Sequence, residues 1–229
     1  MRARAAGLTL IELLVTMALS LTILGAVMSW QSSSMGLSSA LDERSGQLST
    51  VGDLSGYLGS RMREAAAFPD GLTLGGSKCQ LSGTLPCLAA ILPVVNTGAG
   101  GDARITGWQL HAYRYVRRSD VGADSKTVNA WLDGNALALR EERYAGSCPG
   151  TAVPAASCFA GAAATTPLLL ADNLTLSQTG GSFQAFEMGT GGRSVTLRLR
   201  VVGARRGKVT TTPGDGPHRL MVGAHNVAP

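Results

Sequence analysis

The stretch Gly7-Leu8-Thr9-Leu10-Ile11-Glu12-Leu13-Leu14-Val15 decides how this chain is organised. It opens an apolar run that reaches Trp30 and contains a single charge, that of Glu12. A helix over residues 8–30 would be about 35 Å long at ~1.5 Å per residue, which is enough to cross a bilayer. Because an acid near the bilayer centre costs about 2.5–3.5 kcal/mol, Glu12 is expected to have a function.

Four features coincide around this stretch: a short basic leader with Arg2 and Arg4, the residue Gly7, a glutamate shortly after it, and the long apolar run. Together they resemble the class III signal of type IV prepilins and pseudopilins. The resemblance implies that a prepilin peptidase/methyltransferase cuts between Gly7 and Leu8 and methylates the new terminus, Leu8, where Phe is usual. It also implies that Glu12 compensates the methylated amine of a neighbouring subunit, or of its own chain, during assembly.

Two other interpretations of the same region remain. A conventional signal peptide would place its small-residue cut at Ser38-Ser39-Ala40, but Glu12 would then lie inside the hydrophobic region. A plain transmembrane anchor has the right length but gives Glu12 no role.

The charges around the apolar run predict its orientation. Since Arg2 and Arg4 precede the run, the positive-inside rule places residues 1–7 in the cytoplasm and the chain after Trp30 outside. We therefore expect a single-span protein of the bacterial inner membrane with a periplasmic C-terminal domain, which then enters the pilus or fimbrium. The resemblance implies other minor and major pilins and the inner-membrane assembly platform as partners.

The helix is predicted to continue beyond the membrane. Apolar residues recur at three-, four- and seven-residue steps, which is typical of an amphipathic helix; they are Leu37, Leu41, Leu48, Val51, Leu54, Leu58 and Met62. No proline occurs between residues 8 and 68, and Pro69 then stops the helix. The expected segments are a leader at 1–7, a transmembrane and fibre-core helix at 8–30, its amphipathic continuation at 31–67, and a globular β-rich domain at 68–229.

The predicted fold class is α+β. After residue 68 the chain alternates short apolar runs with Gly, Pro, Asn and Asp, a pattern of strands and turns; strands are predicted at 88–95, 105–117, 136–144, 194–202 and 220–227. A turn is predicted at Asp133-Gly134-Asn135 and a polar loop at 208–217. The resemblance implies the type IV pilin fold, in which the long helix packs on an antiparallel sheet with loop-rich insertions.

The four cysteines form two local pairs, Cys79/Cys87 and Cys148/Cys158. In an exported chain an even number of cysteines indicates disulfides. Local pairing is the first interpretation, and crossed pairing or free thiols are the alternatives. The spacings match no zinc site.

A nucleic-acid contact is a further hypothesis, favoured weakly by a formal net charge of +5. Residues 111–118 interleave tyrosine with arginine, so the segment would stack bases and neutralise phosphates. This assumes that His111, Tyr113 and Tyr115 lie on the face opposite Trp108, Leu110, Ala112 and Val116. The candidate DNA or anion contacts are Arg117, Arg118, Arg205 and Arg206, and the alternative is a strand with a solvated basic edge.

No enzyme is expected, and no cofactor or metal. The chain contains none of the nucleophile-elbow, zinc-protease or phosphate-loop motifs. The spacing of Asp120 and Asp124 matches no calcium loop, and His111, His218 and His225 are scattered. Gly189-Thr190-Gly191-Gly192-Arg193 is predicted to be a hairpin turn.

A finer resemblance is to the PilW-like minor pilins. It is carried by Arg61-Met62-Arg63-Glu64-Ala65 at the helix end, by Cys79 soon after, and by a terminal strand ending near Asn226. It implies a low-abundance subunit that initiates pilus assembly or forms its tip. The alternatives are a J-type minor pseudopilin of a type II secretion system and a tip module that binds DNA or a surface.

Overall fold

The computed structural model of the chain describes residues 9–97, 102–146, 148, 150, 152–205 and 207–224. They divide into two compact units, Met1–Ser45 and Gly46–Pro229. The second unit therefore begins about twenty residues before the predicted domain start at 68, because it includes the later turns of the first helix.

Helix α1 runs over Leu10–Glu64 and is 55 residues long. It ends three residues before the predicted end at 67. There the backbone leaves the helix to pair with a strand: Ala66 N–H donates to Ile91 O (2.8 Å) and Ile91 N–H donates to Ala67 O (2.9 Å). These bonds satisfy backbone groups that a further helical turn would have used.

The strands of the second unit are antiparallel throughout. Their bounds are β1 Leu72–Leu74, β2 Ser77–Cys79, β3 Cys87–Thr97, β4 Ala103–Arg117, β5 Leu137–Ala145, β6 Leu168–Leu174, β7 Ser177–Gln178, β8 Gly181–Ser182, β9 Phe186–Met188, β10 Ser194–Leu199, β11 Val201–Arg205, β12 Lys208–Thr212 and β13 His218–Gly223. A short helix, α2, covers Ala130–Asn135.

Two sheets form the core with the second part of α1. The larger has the order β12-β11-β6-β5-β4-β3 and the smaller β13-β10-β9. Val51, Leu54, Leu58 and Met62 of α1 share one apolar cluster with residues of both sheets. The fold is therefore α+β, with a long N-terminal helix packed on antiparallel sheet. Leu48, which belongs to the predicted apolar stripe, is instead exposed.

The predicted polar loop at 208–217 is wrong in its first half. Lys208–Thr212 forms β12, which pairs with β11 across a tight turn at Gly207, where φ is +76°. The predicted turn at 133–135 instead lies in α2, whose N-cap Asn129 accepts a hydrogen bond from Leu132 N–H (3.2 Å). The sequence of β12, Lys-Val-Thr-Thr-Thr, is mostly polar, but Val and Thr are β-branched and suit a strand.

The predicted strand at 194–202 is two strands, because Arg200 interrupts it. Arg200 is buried, and its guanidinium donates to the carbonyls of Ser177, Pro213 and Gly214. The chain thereby passes from β10 in the smaller sheet to β11 in the larger one. Arg200 thus connects the segments that contain Ser177, Pro213 and Gly214 inside the protein.

Both local disulfides are present. Cys79–Cys87 joins β2 to β3, and Cys148–Cys158 closes the excursion between β5 and β6. Their cysteines join a second apolar cluster with Trp108, Leu110 and Phe159, on the face of the larger sheet opposite α1. The disulfide-bonded loops therefore cover a sheet face that would otherwise meet solvent.

Candidate functional site

The first unit consists of helix with apolar side chains that nothing within the unit covers. The large ones are all exposed: Leu10, Ile11, Leu13, Leu14, Val15, Met17, Leu19, Leu21, Ile23, Leu24, Val27, Met28, Trp30, Met35, Leu37 and Leu41. By length and composition α1 is able to cross a membrane. A contiguous apolar surface of this extent needs a partner such as lipid or other helices.

Several hydroxyl groups in this segment donate to carbonyls of their own helix. Thr16 Oγ1 donates to the carbonyl of Glu12 (2.9 Å), Thr22 Oγ1 to Leu19 O (2.8 Å) and Ser33 Oγ to Ser29 O (3.0 Å). Because these groups are paired locally, they add little cost when the helix enters an apolar environment.

Glu12 forms a capping box with Thr9 at the start of α1. Its Oε2 accepts hydrogen bonds from Thr9 N–H (3.0 Å) and from Thr9 Oγ1 (3.1 Å). Thr9 Oγ1 in turn accepts from Glu12 N–H at 3.4 Å, which completes the reciprocal pattern of Thr-x-x-Glu. Sequence reasoning missed this capping role, although Thr-x-x-Glu is a recognised signal of a helix start.

The capping leaves part of the carboxylate available. Within the described residues Glu12 Oε1 accepts no hydrogen bond. The side chain thus stabilises the helix start through one oxygen while the other remains open to an amine. Gly7 and Leu8, between which the predicted cut falls, lie outside the described residues.

The chain matches the prokaryotic N-terminal methylation motif over residues 2–28. It carries a type IV prepilin signal. The match includes the leader, Gly7 and Glu12, and it extends through most of the exposed apolar segment. No curated protein and no solved structure matches the chain. The prepilin signal supports a type IV pilin-like or pseudopilin-like substrate of prepilin peptidase, and the apolar helix is consistent with membrane anchoring.

The predicted DNA contact at Arg118 is wrong. Its side chain is fully buried and forms ion pairs with Asp133 (2.5 Å) and Asp172 (2.9 Å). Lys126 also bonds to Asp133 (2.9 Å), and this bond, followed by the influence of Arg118, lowers the pKa of the Asp133 carboxyl. Arg118 thus links the loop after β4 to β6 rather than meeting a phosphate.

The tyrosines proposed to stack on bases are also inside the protein. Tyr113 and Tyr115 point toward α1 and lie in the larger apolar cluster, and burial raises the pKa of both phenols. Of the remaining candidates, Arg117 and Arg205 are exposed, and Arg206 lies outside the described residues. Strand β4 is buried on both faces, because the disulfide-bonded loops cover the face opposite α1. The alternation of residues along the strand did not predict this second cover.

The residues considered for metals or catalysis do not come together. Asp120 and Asp124 lie in single turns of 3₁₀-helix on an exposed loop. In the described part of the chain no group of three or more His, Cys, Asp or Glu side chains is placed to hold a metal ion. His218 lies in β13, and His225 falls outside the described residues.

A buried polar network ties α1 to the larger sheet, and sequence reasoning missed it. Tyr57 of α1 donates its hydroxyl proton to Glu141 Oε2 (2.6 Å), while His111 Nδ1 contacts Glu141 Oε1 directly. Arg143 lies 3.3 Å from the same Oε1. Burial by itself would raise the pKa of Glu141, but the hydrogen bonds from His111, Tyr57 and Arg143 outweigh it and lower the pKa to about 2.

Proposed function

We propose that this chain is a minor, low-abundance subunit of a type IV pilus that takes part in assembly initiation or in the tip. The observation that carries the proposal is the methylation motif over residues 2–28, joined to an apolar helical segment that has one carboxylate, Glu12, before Trp30. In this proposal the C-terminal domain lies in the periplasm until the helix leaves the bilayer and enters the fibre.

The chemistry of assembly follows from the position of Glu12. Cleavage after Gly7 creates a positively charged amine at Leu8. In an apolar fibre core, opposite charges attract far more strongly than in water, so the open Oε1 of Glu12 would hold the amine of an adjacent subunit. An unpaired amine or carboxylate there would be costly, which favours only the correctly docked subunit.

The role as a minor subunit is supported by the globular domain. Two disulfide-closed loops and a second sheet enlarge the second unit beyond the helix and one sheet. The segment Arg61-Met62-Arg63-Glu64-Ala65 and the following Cys79 resemble PilW-like minor pilins. A low-copy subunit has room for such additions, since they need not fit identical neighbours throughout a shaft.

Processing is tested at the cleavage site. Gly7→Val is expected to leave the uncleaved precursor as the only form on an immunoblot, because the peptidase requires a small residue there. Ala5→Val, within the same leader, is the matched control and should be processed normally. Normal maturation of the Gly7→Val variant would overturn the assignment of the cleavage site.

Assembly is tested with two variants of Glu12. Glu12→Gln keeps an oxygen that can cap Thr9 but loses the charge, whereas Glu12→Ala loses both. If charge pairing is the role, both variants are processed but both are missing from sheared surface fibres. Normal incorporation of Glu12→Gln would show that capping alone matters and would refute the charge pair.

The choice of machine is tested by deleting the gene and scoring surface pili and secreted enzymes separately. Loss of pili with intact secretion is the expected result. Loss of secretion with intact pili would instead identify a J-type minor pseudopilin of type II secretion. Intact pili and secretion, with loss of adhesion to a surface, would identify a binding module carried by the fibre.

A further inference from the structure

A groove separates the later turns of α1 from the outer edge of β13. Its volume is about 490 Å³, and its walls are Ser55, Gly56, Gly59 and Arg63 on the helix and residues 220–224 on the strand side. All of these residues belong to the second unit.

The strand side of the groove is an open sheet edge. Within the described residues β13 pairs with β10 only. Ala224 N–H donates to Arg193 O (2.9 Å), and the register then places Val222 opposite Val195. Since bonded and non-bonded positions alternate in an antiparallel pair, the N–H and C=O groups of Arg219, Met221 and Gly223 point away from β10. Met221 is 64% exposed.

The helix wall of the groove contains two glycines, Gly56 and Gly59, which have different explanations. A Cβ at Gly59 would lie 3.2 Å from Leu220 Cδ2, so the close approach of β13 accounts for this glycine. A Cβ at Gly56 would meet nothing within 4 Å, although glycine destabilises a helix interior relative to alanine. Nothing in the described fold requires Gly56, and its effect is to leave the groove open.

Two arginines at the groove lack an anionic partner. Neither Arg63, in the groove wall, nor Arg219, which precedes Leu220, forms an ion pair among the described residues. Their neighbours are compensated: Arg61 pairs with Glu64 (3.2 Å) and Arg198 with Glu187 (2.6 Å). The chemistry that complements this site is an extended backbone that carries a carboxylate.

We propose that an extended, carboxylate-bearing segment of an adjacent pilin-type subunit adds to β13 as a further strand and fills this groove. Its backbone pairs with Arg219, Met221 and Gly223, its side chains lie over Gly56, and its carboxylate meets Arg63. Strand addition of this kind gives affinity through main-chain hydrogen bonds and specificity through side-chain pockets. The inference rests on the proposed function, because it names the surface by which the pilus subunit meets its neighbour.

The test compares two glycines of the same helix in the full-length chain, produced in cells that assemble pili. Gly56→Leu fills the groove, whereas Gly52→Leu makes the same change one turn earlier, where a Cβ also meets nothing within 4 Å but no groove is lined. We expect the amount of Gly56→Leu in sheared fibres to fall about tenfold or more, while Gly52→Leu remains at the wild-type level.

Two further pairs test the edge and the charge. Met221→Pro removes an outward N–H without removing a bond to β10 and should reduce incorporation, whereas Met221→Ala should not. Arg63→Glu should reduce incorporation and Arg63→Lys should retain it. Thermal unfolding of each purified variant checks the fold; if Met221→Pro does not fold, the glycine pair still decides, since leucine at position 56 meets open space.

The outcomes separate this inference from the proposed function. Absence of the wild-type chain from fibres, with intact pili in its deletion strain, overturns the proposed function. Wild-type presence in fibres together with full incorporation of Gly56→Leu overturns the groove alone. Self-association of the detergent-solubilised wild-type chain that Gly56→Leu abolishes would make the occupant a second copy and would also overturn the stated partner.

Discussion

Helix α1 contains two segments of similar apolar character that meet different surroundings. In the first unit Leu24 is 52% exposed, and its apolar neighbours are exposed with it, whereas Leu58 in the second unit is 0% exposed. The second segment finds its partners in the two sheets of the same chain, and the first finds none within its own unit. An apolar pattern thus predicts only that a helical segment needs a partner. It does not predict whether that partner is another part of the same chain or instead lipid and other subunits.

The difference between the two segments of α1 is tested most strongly by replacing one leucine in each segment with alanine. Leu58→Ala should lower the free energy of unfolding by about 2–5 kcal/mol, because it leaves a cavity in a close-packed core. Leu24→Ala should change it by less than about 0.5 kcal/mol. Denaturant unfolding of the detergent-solubilised chain measures both, and equal effects would show that the two segments share one environment.

The polar link between the second segment and the sheet predicts an acid dependence. The pKa of Glu141 is lowered from 4.5 to about 2. Because each pKa unit corresponds to about 1.4 kcal/mol, the shift contributes on the order of 3 kcal/mol to the free energy of unfolding. Since the folded-state pKa lies below the unfolded one, this contribution is complete above about pH 5 and is lost as the pH falls toward 2.

Glu141→Gln should therefore be less stable than wild type at pH 7, and the difference should shrink as the pH approaches 2. Glu64→Gln is the control, because the Glu64 side chain is half exposed, so its ion pair with Arg61 (3.2 Å) and its hydrogen bond from Ser60 (3.4 Å) should contribute no more than about 1 kcal/mol. A wild-type advantage over Glu141→Gln that stays constant down to pH 2 would contradict the role assigned to the carboxylate.

The smallest expected effect is at Gln47, the first buried residue of the second segment. Its amide donates to Thr210 Oγ1 (3.0 Å) and accepts from Thr212 Oγ1 (2.5 Å) on β12. Gln47→Ala should cost about 1–2 kcal/mol, because Thr212 is then left buried without this partner. Gln31→Ala, at an exposed position of the first unit, should cost nothing measurable in the same unfolding assay.

Sequence reasoning was most successful where the signal is local. The class III motif around Gly7 and Glu12 and the apolar run follow from residue spacing, and the motif match confirms them at the level of a prepilin signal. The α+β fold and the positions of β4 and β5 also followed from periodicity.

It failed where the outcome depends on segments far apart in the chain. Arg117 and Arg118 are adjacent arginines, but only Arg118 is buried and pairs with Asp172, 54 positions away. Arg200 is likewise buried, and its carbonyl acceptors come from a loop more than ten residues away in the sequence. An arginine has the same local preference in both settings, so no pattern in its neighbourhood distinguishes them.

The sequence by itself therefore determined the prepilin signal, the helix that follows it and the class of fold, because these depend on spacings of a few residues along one chain. Only the tertiary structure decided that the later turns of α1 pack on the two sheets, that both faces of β4 are covered, and that β13, among the described residues, is paired on one side only beside Gly56 and Arg63. Burial and exposure are properties of surfaces that meet across long sequence separations, and they are fixed only when those surfaces pack.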